Sequence, residues 1–296
     1  MNAALKDALE QAIRSATGRP FSIRAWSAAS GGCIHRSLVL ADGETRYFAK
    51  TNDVSFLDAF SAETDGLAAL QSAGLRVPQP VCHGACETGA YLILEFLDLH
   101  SHAGDEAFAR LGRDLAALHA HTGSNYGWPR DNYIGPTQQQ NARHAGWAQF
   151  WRDERLRPQL GLAARDGHRT LERLGERLCA RMDDVLAGHA PAPSLLHGDL
   201  WSGNAGFLRD GTPVLFDPAV YWGDREADLA MTELFGGFAA SFYAAYRETA
   251  PLDSGYELRK RLYNLYHLLN HAHLFGGGYA AQAERLLHEL LALTGR

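Results

Sequence analysis

Apolar and polar positions alternate along this chain in two different textures. Residues 1–18, MNAALKDALEQAIRSATG, repeat apolar side chains at i, i+4 among charges, which predicts an amphipathic helix. FSIRAWSAA (21–29) then reads as a strand ending at Ser30-Gly31-Gly32-Cys33. HRSLVLAD (35–42) and ETRYFAKT (44–51) alternate at period two about the Asp42-Gly43 turn, a hairpin signal. Helical spacing returns from Phe56 to Ser72, with Gly74 as C-cap and Pro78 just beyond. Two short strands follow, around Val81 and through Tyr91–Phe96. From Leu97 onward the 3.6-residue period dominates, near 105–121, 145–160, 169–187, 254–272 and 279–294. Residues 124–141 are rich in Gly, Pro, Asn and Gln and read as a long loop or insertion. The remaining strand-like pieces flank residues 195–217. These patterns predict an α+β, bilobal chain: a small sheet-rich lobe over 1–97, a hinge near 95–98, and a larger, mostly helical lobe over 98–296.

Composition narrows the function classes. With 296 residues and 46% hydrophobic positions the chain can bury a sizeable core. Net charge is −6 and the sequence pI about 6.1, so no basic surface recommends nucleic acid or an anionic membrane as partner. The apolar runs are too short to span a bilayer and the N-terminus lacks a signal-peptide core, so a cytoplasmic protein is expected. Cys82 and Cys86 bracket His83, but no second ligand pair stands at zinc spacing. The four cysteines read as structural or spectator thiols.

The densest chemistry lies in LLHGDLWSGNAGFLRDGTPVLFDP, residues 195–218. Asp199 follows His197-Gly198, Asn204 comes five residues later, and Asp217 ends an apolar run. An Asp, Asn, Asp set on two adjacent loops suits Mg²⁺-bound triphosphate, with one carboxylate orienting a hydroxyl for attack. Asp199 is the expected base, with Asn204 and Asp217 as the Mg²⁺ ligands. His197 is expected to brace the loop, and Asp228 to tether it from the next helix. Upstream, Gly31 and Gly32 could bring backbone N–H groups to a phosphate, although alone they read more readily as a plain turn. Lys50 ends Tyr-Phe-Ala-Lys, and Glu63 on the following helix could pair with it to serve the ATP phosphates. Glu95 and Leu97 stand where a hinge would offer backbone groups to adenine.

These residues resemble the fructosamine/ketosamine kinase family, within the wider protein-kinase-like group that includes aminoglycoside phosphotransferases and choline kinases. SGGCIHRS, YFAKT, LILEFL, DNYIGPTQQQN, WAQFWRDERLRPQL and RLYNLYHLLNHAHLFGGGY extend the likeness nearly end to end. The resemblance implies a bilobal kinase fold and ATP-dependent phosphorylation of a sugar hydroxyl on a ketoamine adduct of an amine or protein, a deglycation role. It assigns Lys50 with Glu63 to ATP, Asp199 to the acceptor hydroxyl, and Asn204 with Asp217 to the metal. Trp201 is expected to stack on the sugar or its amine, and Trp222 and the face Asn264, His267, His271 to line the acceptor cleft. His35 departs from the small polar residue common in the family's phosphate loop. Some relatives use a cysteine at the Cys33 position for dimerisation, so a monomer or a redox-sensitive dimer is expected. An aminoglycoside or choline acceptor, and a nucleotide-binding pseudokinase, are the alternatives.

Overall fold

The computed structural model describes residues 1–29 and 35–293; Gly31, Gly32 and Cys33 lie outside them. Helix α1 (Ala3–Thr17) starts where the Asn2 side chain accepts the Leu5 N–H at 2.8 Å. It stops at Gly18, whose φ of 67° only glycine adopts without strain. The α1 stripe Leu5, Leu9 and Ile13 packs on Phe21, Ile23, Leu38, Leu40 and Ile93. That apolar layer sits on one face of an antiparallel sheet of β1 (Ala25–Ala28), β2 (Arg36–Ala41), β3 (Arg46–Asn52), β4 (Pro80–Cys86) and β5 (Gly89–Glu95). The spatial order is β1-β2-β3-β5-β4. The β2–β3 hairpin turns where predicted, the Asp42 carboxylate accepting the Glu44 and Thr45 N–H groups at 2.9 and 2.8 Å. Strand β1 is shorter than expected, because Phe21 and Ile23 are drawn under α1 instead.

Helix α2 (Leu57–Ser72) crosses the other sheet face between β3 and β4. Its Phe60, Leu67 and Leu70 join Leu92 and Leu94 of the sheet and Leu111 and Leu115 of α3 (Asp105–His119) in one core. The sheet and the helical half therefore share buried apolar surface.

Two elements in the helical half depart from the pattern. Within 124–141 the chain forms a hairpin, β6 (Asn132–Ile134) and β7 (Thr137–Gln139), about Gly135 at φ 60°. Hydropathy could not mark it, since three of its buried residues are polar: Asn132 and Gln139, whose amides bond to each other at 2.8 Å, and Thr137. The 169–187 helix is interrupted at residues 180–181 with no Gly or Pro to announce the break.

The remaining elements follow in chain order. Helix α4 (Trp147–Phe150) continues through a π-helical turn, Trp151–Leu156, into α5 (Arg157–Arg165). The interrupted helix comprises α6 (Arg169–Cys179) and α7 (Met182–Val185). Four short strands come next: β8 (Ser194–Leu196), β9 (Ala205–Phe207), β10 (Pro213–Leu215) and β11 (Tyr221–Gly223). Helices α8 (Glu226–Leu234), α9 (Ala240–Thr249), α10 (Tyr256–Phe275) and α11 (Tyr279–Leu293) complete the chain. Among the described residues no helix is long and apolar enough to cross a membrane.

Candidate active site

Two short antiparallel pairs frame the site: β8 with β11, and β9 with β10. The chain leaves β8 into His197-Gly198-Asp199 and turns through Gly198 at φ 83°. A Cβ there would stand 2.0 Å from the Ala219 carbonyl oxygen, so only glycine lets the two loops meet. The Asp228 carboxylate, from α8, accepts the His197 and Gly198 N–H groups at 2.7 and 2.8 Å and binds His119 Nε2 at 3.1 Å. Burial raises the Asp228 pKa, but His119, His197 and the backbone donors outweigh it and hold the group below its usual range. His197 is fully buried, donates from Nε2 to the Phe216 carbonyl at 3.1 Å and accepts the Asp199 N–H on Nδ1 at 3.3 Å. Burial keeps that imidazole neutral, in keeping with a brace between the loops.

Asp199, Asn204 and Asp217 meet on these loops. Asn204 Nδ2 donates to the Asp199 carbonyl at 2.9 Å and to its carboxylate at 3.1 Å. Both bonds use the amide nitrogen, which leaves Asn204 Oδ1 as the atom for a cation. The Asn204 carbonyl accepts the Phe216 N–H at 3.1 Å, tying the second loop to the first. Asp217 is the one described non-glycine residue at positive φ, 57°. Strain of this kind persists where neighbours over-determine it. Burial and the neighbouring Asp217 push the Asp199 pKa up to about 7, against the Asn204 hydrogen bond. An amide oxygen and carboxylates on adjoining loops form the hard-oxygen donor set that Mg²⁺ takes.

Lys50 lies inside β3 and is buried, its ammonium bonded to Glu63 Oε1 at 2.7 Å and to Asp217 Oδ1. Burial alone would lower its pKa; Asp217 and Glu63 reverse the sign and raise it, so the charge is fixed. Burial likewise raises the Glu63 pKa against the pull of Lys50.

Lys50, Glu63, Asp199, Trp201, Asn204 and Asp217 all line one cleft of about 480 Å³. Its acids among the described residues are Glu63, Asp199 and Asp217 alone; the opposite wall is aromatic, with Phe235, His271, Phe275 and Tyr279. Trp201 meets Phe235 edge-on at 6.2 Å, and Phe235 lies 4.6 Å from His271. His35, Phe60 and Tyr133 also contribute. His35, Tyr133, His271, Phe275 and Tyr279 fall inside sequence blocks already singled out, Phe60 and Phe235 do not, and nothing in their spacing marks them as a wall.

Other expected residues lie elsewhere. Trp222 is not among the cleft's described lining; its ring packs on Trp128 at 5.8 Å and over Gly123. Of the 264, 267, 271 face only His271 reaches the cleft. His267 is buried, with Nδ1 unpartnered and burial pushing its pKa down to about 3. Glu95 and Leu97 also stand outside that lining. The Glu95 carboxylate is gripped by Arg76 at 2.6 and 2.8 Å, and its N–H donates to the Gln79 carbonyl, so only its own carbonyl could face a base. His189, Asp224 and Glu226 cluster as possible metal ligands. Each is already engaged, Asp224 by His189 and Tyr263 and Glu226 by a two-pronged Arg259 contact. Burial pushes the Cys82 and Cys179 thiols up to about 11 and about 12, which suits inert packing.

Known proteins resemble this chain in sequence and fold. The family model described as fructosamine kinase matches residues 5–293. A probable ketoamine kinase from Synechocystis sp. is 45% identical over 287 residues, 96% of each chain. A chloroplastic protein-ribulosamine 3-kinase from Oryza sativa subsp. indica is 38% identical, covering 93% of this chain and 81% of that one. A crystal structure from Haemophilus somnus 129PT, provisionally named a fructosamine-3-kinase, superposes with a TM-score of 0.88 at 30% identity over 96% of each chain. A thermostable mutant of an aminoglycoside phosphotransferase, at 18% identity, TM-score 0.60, 96% of this chain and 98% of that one, shares the fold alone. The chain belongs to the fructosamine kinase family, and is a phosphotransferase with an alcohol acceptor.

Proposed function

We propose that this protein transfers the γ-phosphoryl group of ATP to a sugar hydroxyl of a ketosamine, with Asp199 taking the hydroxyl proton. The observation that carries the reading is the convergence of Lys50–Glu63 with Asp199, Asn204 and Asp217 on a cleft whose other wall is aromatic. In the proposed roles, Lys50 presents a permanent positive charge to the phosphates, and Glu63 fixes where that charge sits. Asn204 and Asp217 would hold Mg²⁺, which when bound neutralises charge on the phosphate oxygens. Asn204 also orients the Asp199 carboxylate, whose raised pKa suits a group that must accept a proton near neutrality. Trp201 would lay an apolar face against the sugar or its amine carbon, half-exposed at the mouth as a stacking platform requires.

The cleft also argues about the acceptor. A polycationic antibiotic calls for carboxylates beyond the catalytic set, and the described lining supplies none. A ketosamine carries one amine beside its sugar, for which rings suffice. The chloroplastic relative is named for ribulosamine, so ribulosyl-lysine heads the proposed acceptors, ahead of fructosyl-lysine. The lobe boundary at residues 97 and 98 belongs to the same proposal, with the Glu95 carbonyl and the Leu97 N–H serving adenine.

A screen of Mg·ATP-dependent ADP release tests the acceptor. It spans ribulosyl-, fructosyl- and erythrulosyl-lysine, choline and an aminoglycoside. Turnover confined to the lysine adducts is expected; turnover of choline or the aminoglycoside alone would overturn the assignment.

A further inference from the structure

Asp58, Ser61 and Asp65 stand at i, i+3 and i+7 on α2 and so share one face. Arg130, from the helical half, reaches all three. One guanidinium nitrogen donates to Asp65 Oδ2 at 2.9 Å and to Ser61 Oγ at 3.1 Å, and the other to Asp58 Oδ1. The Tyr133 hydroxyl donates to the second Asp58 oxygen at 3.0 Å. By helical spacing Glu63 leaves α2 on the other side, where it holds Lys50.

The segment carrying Arg130 and Tyr133 is itself fastened to the loop after Asp217. Asn132 Nδ2 donates to the Val220 carbonyl at 2.7 Å, and Gln139 Nε2 to the Ala219 carbonyl at 3.1 Å. Arg155, buried in the π-helical turn, holds Asn141 Oδ1 at 2.8 Å, and Asn141 donates to Asn132 Oδ1 at 2.9 Å. Gly66 of α2 lies so close to the same loop that a Cβ would meet Pro218 Cγ at 3.2 Å. The helix bearing Glu63 and the loop bearing Asp217 are thus referenced to one hairpin.

We propose that Arg130, seconded by Tyr133, is a positioning residue for phosphoryl transfer. It clamps α2 to the β6–β7 segment so that Glu63 keeps Lys50 aligned with Asp217, with no separate activating event. In kinases whose equivalent helix can swing, the Lys–Glu pair is the element that regulation controls. Here a forked cation spanning two carboxylates removes that freedom, a task for which arginine is suited and lysine is not. The proposal rests on assigning Lys50 and Glu63 to ATP.

The test is the dissociation constant of Mg·ATP, which needs no acceptor. It is measured by calorimetry for wild type, Arg130→Ala, Arg130→Lys, Glu63→Gln and the double variant Arg130→Ala/Glu63→Gln. Loss of the clamp should weaken Mg·ATP about fivefold, as for a small network of half-exposed charges, with Arg130→Lys in between. Once Glu63 is glutamine, Arg130→Ala should add nothing, because its effect travels through that carboxylate. A merely structural role would add the same penalty in both backgrounds, and that result would overturn the proposal, as would unchanged binding in Arg130→Ala. If Arg130→Ala does not fold, Asp65→Asn takes its place in the cycle with a smaller effect of the same kind. An inert Glu63→Gln would overturn the ATP assignment itself and the clamp with it, an outcome separate from additivity.

Discussion

The two walls of the cleft are built on opposite plans. On the catalytic wall, Asp199, Asn204 and Asp217 fall within nineteen consecutive residues and are locked by backbone hydrogen bonds through His197 and Asp228. The acceptor wall gathers Trp201, Phe235 and the set His271, Phe275 and Tyr279 from three separate stretches, joined by ring contacts. Phosphoryl transfer needs oxygens at fixed positions, so one stretch of chain carries them and a glycine lets the loops touch. Recognition of a sugar and its amine tolerates approximate faces, so the wall can be assembled from wherever rings are at hand. In the proposed roles, chemistry is held by geometry and specificity by surface.

Substitutions on each wall should separate the two plans. Removing the proposed proton acceptor with Asp199→Asn should lower kcat by about 10³-fold while calorimetry still registers Mg·ATP binding; near-normal turnover would show that another group takes the proton. Asp228→Ala touches no substrate but strips the buried His197 and Gly198 donors of their acceptor. Urea unfolding should record a loss of about 3 kcal/mol.

The His267 imidazole lies behind the acceptor wall, and its pH response has a definite sign. Burial puts its folded value at about 3, below the ordinary 6.5, so the unfolded chain takes up the proton first as pH falls. The contribution is complete above 6.5 and is lost toward 3, about 2 kcal/mol between pH 6.5 and 5. His267→Gln should flatten that slope in urea titrations at the two pH values; an unchanged slope would move the acid sensitivity elsewhere. Smallest is Trp201→Ala, which should raise KM for the ketosamine about tenfold with KM for ATP unaltered. A matching rise for ATP would mean that the wall serves both substrates.

What the sequence made legible follows the same division. The β2–β3 hairpin, α1 and α2 with its Gly74 stop appear close to where period and turn residues put them, because one face of each is buried and the other is wet. The loops that bring Asp199, Asn204 and Asp217 together are marked by the spacing of those residues. Strands β6 and β7 are not, since Asn132, Thr137 and Gln139 are buried polar residues that hydropathy assigns to a loop. Helix α9 escaped because it is short and follows Gly236-Gly237. Helix α10 explains the misplacement of His267: the i, i+3, i+7 rule puts Asn264, His267 and His271 on one side, but every residue from 262 to 270 is buried. Periodicity names a face without saying which part of it meets a cleft. Trp222 failed for a related reason, its indole covering Gly123 instead of substrate.

The account stands most directly on where the phosphoryl group goes. Phosphorus NMR of ribulosyl-lysine incubated with Mg·ATP and the wild-type protein should show one new phosphomonoester resonance coupled to a sugar proton, with ADP formed in equal amount. The same mixture with Asp199→Asn should show ATP alone. Inorganic phosphate as the sole product, or a phosphoryl group on the amine, would contradict it.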